Sequence, residues 1–125
     1  MNSLLYEDEV FRIRGAVFEV HNEMGNGFLE GVYQECLERE FVRLNIPFVS
    51  QRPLTLSYKG EPLTQTYQPD LICCDKIILE LKAVSAIVPV HRAQVMNYLK
   101  ATGLKLALIV NFGTYPKAQI ERIAL

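Results

Sequence analysis

The sequence predicts an α/β fold in which helices flank a mixed β-sheet. Two segments with helical apolar spacing open the chain, several short strand-like segments follow, and a third helical segment separates two strongly apolar strands. Neighbouring strands followed by a crossover helix and a further strand are typical of a mixed sheet. The 125 residues, 50% of them hydrophobic, suffice for one compact domain, which we expect to span residues 1–125.

Two helices are predicted at the start of the chain. Apolar residues recur at three- and four-residue steps from Glu7 to Met24, and the glycines at 25 and 27 end this helix. A second apolar stripe predicts a helix from about Leu29 to Leu44. Glu30 falls in its first turn, where an isolated glutamate is simply a favourable charge at the helix N-terminus.

The middle of the chain has the spacing of strands and turns. We predict strands over 48–51 and 54–58, a turn over 59–62, a lead-in over 63–67, and then a β-hairpin with strands 70–73 and 77–83. A third helix is expected from Val90 to Thr102, with Gln94 and Tyr98 on one face. The apolar segment 105–111 reads as a strand buried on both sides, and 119–125 as an edge strand or a short helix.

Composition excludes several classes of protein. The net charge of −1, with both signs mixed along the chain, gives no general attraction to nucleic acid. No apolar run approaches the roughly 18 residues of a membrane span, and the acidic N-terminus lacks a signal-peptide pattern. Three cysteines without CxxC spacing fit a reduced, cytoplasmic protein with neither a disulfide framework nor structural zinc.

Three charged residues in the hairpin require an explanation. Glu80 and Lys82 are two apart and so share one face of a strand that is otherwise apolar, and Asp70 lies on the partner strand. Burying such charges is costly unless they are paired or hold a metal ion. The alternatives are a salt-bridged pair on an exposed strand face and a turn-forming aspartate after proline.

The residue types favour a metal site over those alternatives. Asp70, Glu80 and the backbone carbonyl of Leu81 supply the hard oxygen ligands that Mg²⁺ or Mn²⁺ prefers. Lys82 can orient or deprotonate a metal-bound water, or offset charge on a phosphate in the transition state. Glu30 is a candidate for a further carboxylate ligand, and Gln94 for a hydrogen bond to the water or the phosphate.

These motifs resemble the PD-(D/E)XK nuclease superfamily, with Pro69-Asp70 as the first half-motif and Glu80-Leu81-Lys82 as the second. The segment 27–33, Gly-Phe-Leu-Glu-Gly-Val-Tyr, resembles the GxxExxY signature of one family in it, as do the blocks 93–99 and 110–113. The resemblance covers essentially the whole chain. It implies a restriction-endonuclease-like αβββαβ core, a helix glutamate (Glu30) near the site, and Gln94 as the motif residue on the following helix.

The sequence therefore leads us to expect a nuclease that hydrolyses phosphodiesters with Mg²⁺ or Mn²⁺. Its catalytic residues would be Asp70, Glu80, Lys82, Glu30 and Gln94, and its partner a nucleic acid, DNA in preference to RNA. The alternative is a binding module that keeps the nuclease fold with little or no turnover and recognises nucleic acid or a protein partner. By analogy with small members of the superfamily, a homodimer is a candidate assembly.

Overall fold

A computed structural model describes residues 4–125; the first three residues of the predicted domain lie outside the described residues. The first helix has its predicted bounds, and the second is one residue shorter at each end than predicted. The elements in chain order are α1 (Glu7–Met24), α2 (Glu30–Arg43), β1 (Phe48–Ser50), β2 (Leu54–Tyr58), β3 (Glu61–Tyr67), β4 (Leu71–Cys73), β5 (Ile77–Lys82), α3 (Pro89–Thr102), β6 (Leu106–Asn111) and β7 (Gln119–Ala124).

Five strands form the main sheet, in the spatial order β1-β4-β5-β6-β7. Strands β5 and β6 are parallel, and every other neighbouring pair is antiparallel. The parallel pair requires a crossover connection, which α3 provides. The order α2-β1-β4-β5-α3-β6 thus gives the αβββαβ core, and the predicted mixed sheet is confirmed. The segment 119–125, for which two forms were open, is an edge strand.

Helices cover both faces of this sheet, and the sheet separates the apolar core into two layers. On one face, α1 and α2 pack against the apolar residues Leu79 and Leu81 of β5, together with Leu108 and Val110 of β6. On the other face, the intervening β-residues, such as Ile78, pack against α3. Strand β6 is buried throughout, as its continuous apolar run predicts.

The predicted turn over 59–62 is wrong in its second half. Only Lys59 and Gly60 turn, because Glu61 and Pro62 already pair with β2 as the start of β3. Strands β2 and β3 form a separate two-stranded sheet rather than joining the main one. The side chains of β3 are exposed along its length until Tyr67, whose ring is buried. The segment 63–67 is therefore part of a paired strand.

The hairpin between β4 and β5 is confirmed, with bounds one residue shorter at each outer end than predicted. Cys74 and Asp75 both adopt positive φ, and the amide of Lys76 donates to the carbonyl of Cys73 at 3.1 Å. Two successive left-handed residues match the twist of a tight hairpin. This turn sets the register that brings Asp70 beside the end of β5.

Within residues 4–125, no helix combines the length and the apolar character that crossing a membrane requires.

Candidate active site

Hairpin register places Asp70 beside Glu80. Leu71 pairs with Leu79 at the end of the β4–β5 ladder, so that Asp70 immediately precedes the ladder and Glu80 immediately follows it. Alternation from Ile78, which packs against α3, puts the side chains of Glu80 and Lys82 on the α3 face. The two carboxylates thus meet where the apolar pairing of the two strands stops.

Each carboxylate has one oxygen held by the protein. Oδ2 of Asp70 accepts the backbone N–H of Leu81 at 2.7 Å. Oε1 of Glu80 accepts the hydroxyl of Tyr67 at 2.5 Å and the backbone N–H of Asp70 at 3.4 Å. Within the described residues, Oδ1 of Asp70 and Oε2 of Glu80 have no hydrogen-bond donor, and neither is a fully enclosed atom. One oxygen of each acid is therefore free to bind a ligand from solvent.

The environment makes both acids harder to ionise than usual. Burial is the main cause that raises the pKa of Glu80 to about 7, against a restraining hydrogen bond from Tyr67, and the charge of Asp70 raises it further. Burial also raises the pKa of Asp70, opposed by the Leu81 amide and the charge of Lys82. In residues 4–125 neither acid has an ion-pair partner within 4.0 Å. Such a pair is stabilised by a cation placed between them.

The backbone carbonyl of Leu81 faces the same side as Asp70. The carbonyl of Lys82 accepts the amide of Phe112, so the N–H and C=O of Lys82 point towards β6. Successive residues of a strand direct these groups to opposite neighbours, and the N–H of Leu81 points to Asp70. Since the N–H and C=O of one extended residue share an edge, the Leu81 carbonyl lies beyond the end of β4. It lies past the last pair of the β4–β5 ladder and accepts no hydrogen bond from that ladder.

These groups fit a hard divalent cation such as Mg²⁺. The two acids and the backbone carbonyl of Leu81 lie at the end of β5, and both acids gain from a compensating positive charge. No group of three His, Cys, Asp or Glu side chains in residues 4–125 is close enough to hold a metal ion. Two carboxylates, with waters for the remaining positions, are a usual protein contribution to Mg²⁺. The predicted ligands Asp70, Glu80 and Leu81 are thus together.

Glu30 lies apart from this pair. It is exposed at the first residue of α2, in the helical layer on the other face of the sheet from α3. One turn later on α2, Gln34 donates its amide to the carbonyl of Asp70 at 3.1 Å. The start of α2 is therefore directed at the site end of the sheet, although Glu30 does not complete a three-carboxylate group.

Gln94 is exposed on α3, above the face of the sheet that carries Glu80 and Lys82. It precedes Tyr98 by one helical turn and so shares its side of the helix. The Tyr98 ring stacks on the ring of Tyr67, with centroids 3.6 Å apart and planes at 4°. Because Tyr67 binds Glu80, this side of α3 faces the acids. In the described residues the Gln94 amide makes no hydrogen bond.

Two residues that hold the acids were not predicted as site residues. The hydroxyl of Tyr67 donates to Glu80, which lies 13 positions later in the chain. The side-chain amide of Gln34 donates to the carbonyl of Asp70, as does the backbone amide of Gln51 at 3.2 Å. The feature that could have identified Tyr67 is its position, three residues before Asp70 and at the end of a strand whose other side chains are exposed.

The tyrosine of the GxxExxY-like segment packs in the core. Tyr33 is fully buried, donates its hydroxyl to the carbonyl of Gly25 at 2.5 Å, and stacks on Phe112 with centroids 4.5 Å apart. The His21 ring lies nearly parallel to that of Phe112, and its Nε2 is 2.8 Å from the carbonyl of Thr114. These contacts hold the α1–α2 loop against the end of β6 and so set where α2 and Glu30 begin.

Residues of the block 110–113 contact the segment that directly follows β5. The side-chain amide of Asn111 donates to the Val84 carbonyl at 2.9 Å, and its oxygen accepts the Val84 amide at 3.0 Å. A Cβ at Gly113 would lie 2.3 Å from the Val84 carbonyl oxygen, so only glycine permits this approach. The segment after Lys82 is thereby fixed against β6.

Comparisons with known proteins agree with this geometry. A family model described as the PD-(D/E)XK nuclease superfamily matches residues 7–123. No curated protein matches the chain. Among solved structures, one titled "Crystal structure of SSO0001" is similar with a TM-score of 0.59 at 16% identity, over 95% of this chain and 60% of that one. At that identity the similarity shows the fold alone.

The family match covers nearly the whole chain and includes both half-motifs. Nucleases of this superfamily typically use divalent metals. The resemblance to the GxxExxY family is compatible with the match, which is made at the level of the superfamily. On these grounds the chain belongs to the PD-(D/E)XK nuclease superfamily.

Proposed function

We propose that this protein hydrolyses phosphodiester bonds of nucleic acid with the help of Mg²⁺ or Mn²⁺. The observation that carries the proposal is the carboxylate pair at the end of β5. Asp70 and Glu80 each keep one oxygen free, lack an ion-pair partner among residues 4–125, and are buried enough to need one. Acidic residues whose pKa values are shifted by burial and by neighbouring charges are a physical sign of a functional site.

Asp70, Glu80 and the carbonyl of Leu81 would hold the cation. A bound divalent metal supplies a more acidic water and positive charge for a phosphate oxygen. The hydrogen bonds to the other oxygen of each acid, from the Leu81 amide to Asp70 and from the Tyr67 hydroxyl to Glu80, keep the two free oxygens from turning away. This preorganisation lowers the reorganisation that binding would otherwise require.

Lys82 would act on the water or on the phosphate. It shares the α3 face with Glu80, and its ammonium lowers the pKa of both acids without lying within 4.0 Å of either. At that distance the ammonium is available to a water or a phosphate oxygen. It can accept a proton from the water only when it is neutral, and it can offset developing negative charge when it is protonated.

Gln94 and Glu30 would assist from two different layers. The exposed amide of Gln94 lies on the side of α3 that faces the acids and can donate to a phosphate oxygen. Glu30, at the start of α2, can bind a water of the metal shell or a second cation rather than the first cation directly. Both roles rest on helix positions and not on contacts within the protein.

Cleavage assays test this proposal. The protein is incubated with Mg²⁺, Mn²⁺ or EDTA and with single-stranded, duplex and branched DNA and with RNA, which also decides between the two nucleic acids. We expect metal-dependent cleavage, with a loss of at least about 100-fold in Asp70→Asn, Glu80→Gln and Lys82→Met. Calorimetry with Mn²⁺ is expected to show binding that the two carboxylate variants weaken.

Matched controls separate the site from general charge effects. Glu35→Gln removes a carboxylate from the exposed outer face of α2, and Lys100→Met removes an exposed ammonium from α3; both should cleave like the wild type. Cleavage at the wild-type rate by Asp70→Asn and Lys82→Met would refute the assignment. Metal binding by the wild type without cleavage of any substrate would favour the binding-module alternative.

A further inference from the structure

Tyr67 connects the small sheet to the acids of the main sheet. It is the last residue of β3 and pairs with Leu54 of β2, so its backbone belongs to the two-stranded sheet. Its side chain, however, is only 6% exposed and donates to Oε1 of Glu80 on β5 at 2.5 Å. The other six side chains of β3 are exposed. The strand therefore buries one residue, and that residue contacts a proposed metal ligand.

The tyrosine ring is held independently of Glu80. It stacks on Tyr98 of α3 with centroids 3.6 Å apart, and it packs in the apolar cluster that includes Ile78, Val95 and Leu99. A ring fixed by stacking and packing has little freedom left in its two side-chain torsions. The hydroxyl therefore occupies a position set by the fold, and the glutamate adapts to it.

The hydroxyl is the main restraint on Glu80. Only one other donor in residues 4–125 reaches the carboxylate, the Asp70 amide at 3.4 Å, and it binds the same oxygen. A hydrogen bond at that distance is weak. Without the hydroxyl, the carboxylate could rotate about its last torsion into orientations that turn both oxygens away from the cation.

From this geometry we infer that Tyr67 is a positioning residue, which holds Oε1 of Glu80 so that Oε2 stays free to bind the divalent cation. The inference rests on the proposed function, because it assigns Glu80 as a ligand. Tyr67 itself touches neither metal nor substrate. It acts through the carboxylate, and the β2–β3 sheet and α3 act through Tyr67 as its support.

Mn²⁺ calorimetry on two matched variants tests the inference. Tyr67→Phe keeps the ring and its stack and removes only the hydroxyl. Tyr98→Phe makes the same change in the other ring of the stack, whose hydroxyl has no hydrogen bond in residues 4–125. We expect Tyr67→Phe to weaken Mn²⁺ binding about tenfold, the scale of one hydrogen bond to a charged group, and Tyr98→Phe to leave it unchanged.

A metal titration of cleavage and a thermal midpoint in EDTA complete the test. For Tyr67→Phe we expect the Mn²⁺ concentration for half-maximal cleavage to rise about tenfold, with the rate at saturating Mn²⁺ within about threefold of the wild type. A purely structural role would lower the saturated rate and the midpoint together. A fall in midpoint as large as that of Leu79→Ala would assign the hydroxyl to folding and overturn the inference.

The outcomes distinguish this inference from the proposed function. If the wild type binds no Mn²⁺, or if Glu80→Gln binds as tightly as the wild type, the proposed function fails and the inference with it. If Glu80→Gln loses binding while Tyr67→Phe does not, only the role of Tyr67 is refuted. Equal losses in Tyr67→Phe and Tyr98→Phe would mean that the hydrogen bond to Glu80 is not what matters, and would also refute it.

Discussion

The two faces of strand β5 have opposite characters. On the face towards α1 and α2, Ile77, Leu79 and Leu81 are at most 1% exposed and pack in one apolar cluster. On the face towards α3, Ile78 is equally buried, but Glu80 and Lys82 are polar and only partly buried. Six consecutive residues thus contribute both to a closed core and to an open site.

The contrast shows where the fold accepts a loss of stability. A closely packed core tolerates little change in volume, so one face of β5 is dedicated to holding the sheet together. The other face carries acids whose raised pKa values record unfavourable burial. Functional sites commonly retain such strain because the rest of the fold is stable enough to support it. Substitutions on the two faces should therefore change stability in opposite directions.

Leu79→Ala tests the core face and should have the largest effect on stability. The side chain is fully buried between β5 and the helices α1 and α2, so its truncation leaves a cavity. We expect the free energy of unfolding to fall by about 2–5 kcal/mol, measured by urea denaturation. Val42→Ala, which truncates a side chain that is 66% exposed on α2, is the control and should cost far less. Equal losses in the two variants would abolish the contrast.

Glu80→Gln tests the site face and should stabilise the metal-free protein. The folded pKa of about 7 lies above the ordinary value of 4.5, so between these values the folded state binds more protons than the unfolded state. The favourable contribution is present below about pH 4.5 and is lost as pH rises through 7. At about 1.4 kcal/mol per pH unit the loss is at most about 3.5 kcal/mol, and partial exposure reduces it.

Glutamine stays neutral and can still accept the Tyr67 hydroxyl, so the variant should lack this pH dependence. Urea denaturation in EDTA at pH 5.5 and pH 8 measures it. We expect the variant to exceed the wild type by about 1–3 kcal/mol at pH 8 and by much less at pH 5.5. The same pH dependence in both proteins would contradict a buried, strained Glu80. The charge of Asp70 causes part of the raised pKa of Glu80, so the variant also removes the repulsion between the two acids, which adds to the expected gain at pH 8.

Arg39→Ala sharpens the comparison with charges that serve neither face. Arg39 and Glu35 form an ion pair at 3.0 Å on the outer surface of α2, with side chains that are 77% and 69% exposed. Water screens such pairs, and an i,i+4 pair on a helix contributes about 0.5 kcal/mol or less. We expect a loss of that size at low salt and none at high salt. A change as large as that of Glu80→Gln would mean that burial is not what distinguishes the site.

Local patterns account for the parts of the fold that were predicted well. The apolar stripe ending at Met24 predicts the end of α1 because helix periodicity and a glycine cap are short-range properties. The shared face of Glu80 and Lys82 follows from strand alternation alone. The half-motif at Asp70 needed only the hairpin register to come beside Glu80.

Other parts depended on contacts that no local pattern contains. Whether β2 and β3 join the main sheet is decided by which edges are free, and the turn residues Lys59 and Gly60 are compatible with either arrangement. The distance of Glu30 from the acids depends on which face of the sheet α2 covers. The Tyr67 hydroxyl meets Glu80 only because a strand of one sheet ends beside a strand of another.

The sequence by itself determined the order of helices and strands, the hairpin and the shared face of its charged residues, because periodicity and turn chemistry act over a few residues. The tertiary structure alone decided which oxygen of each acid is held and which stays free. That choice is made by the hydroxyl of Tyr67 and by the amide of Leu81, and only the folded chain supplies the burial that raises the pKa of Glu80. Hydrogen bonds between distant segments and desolvation exist only once the chain has folded.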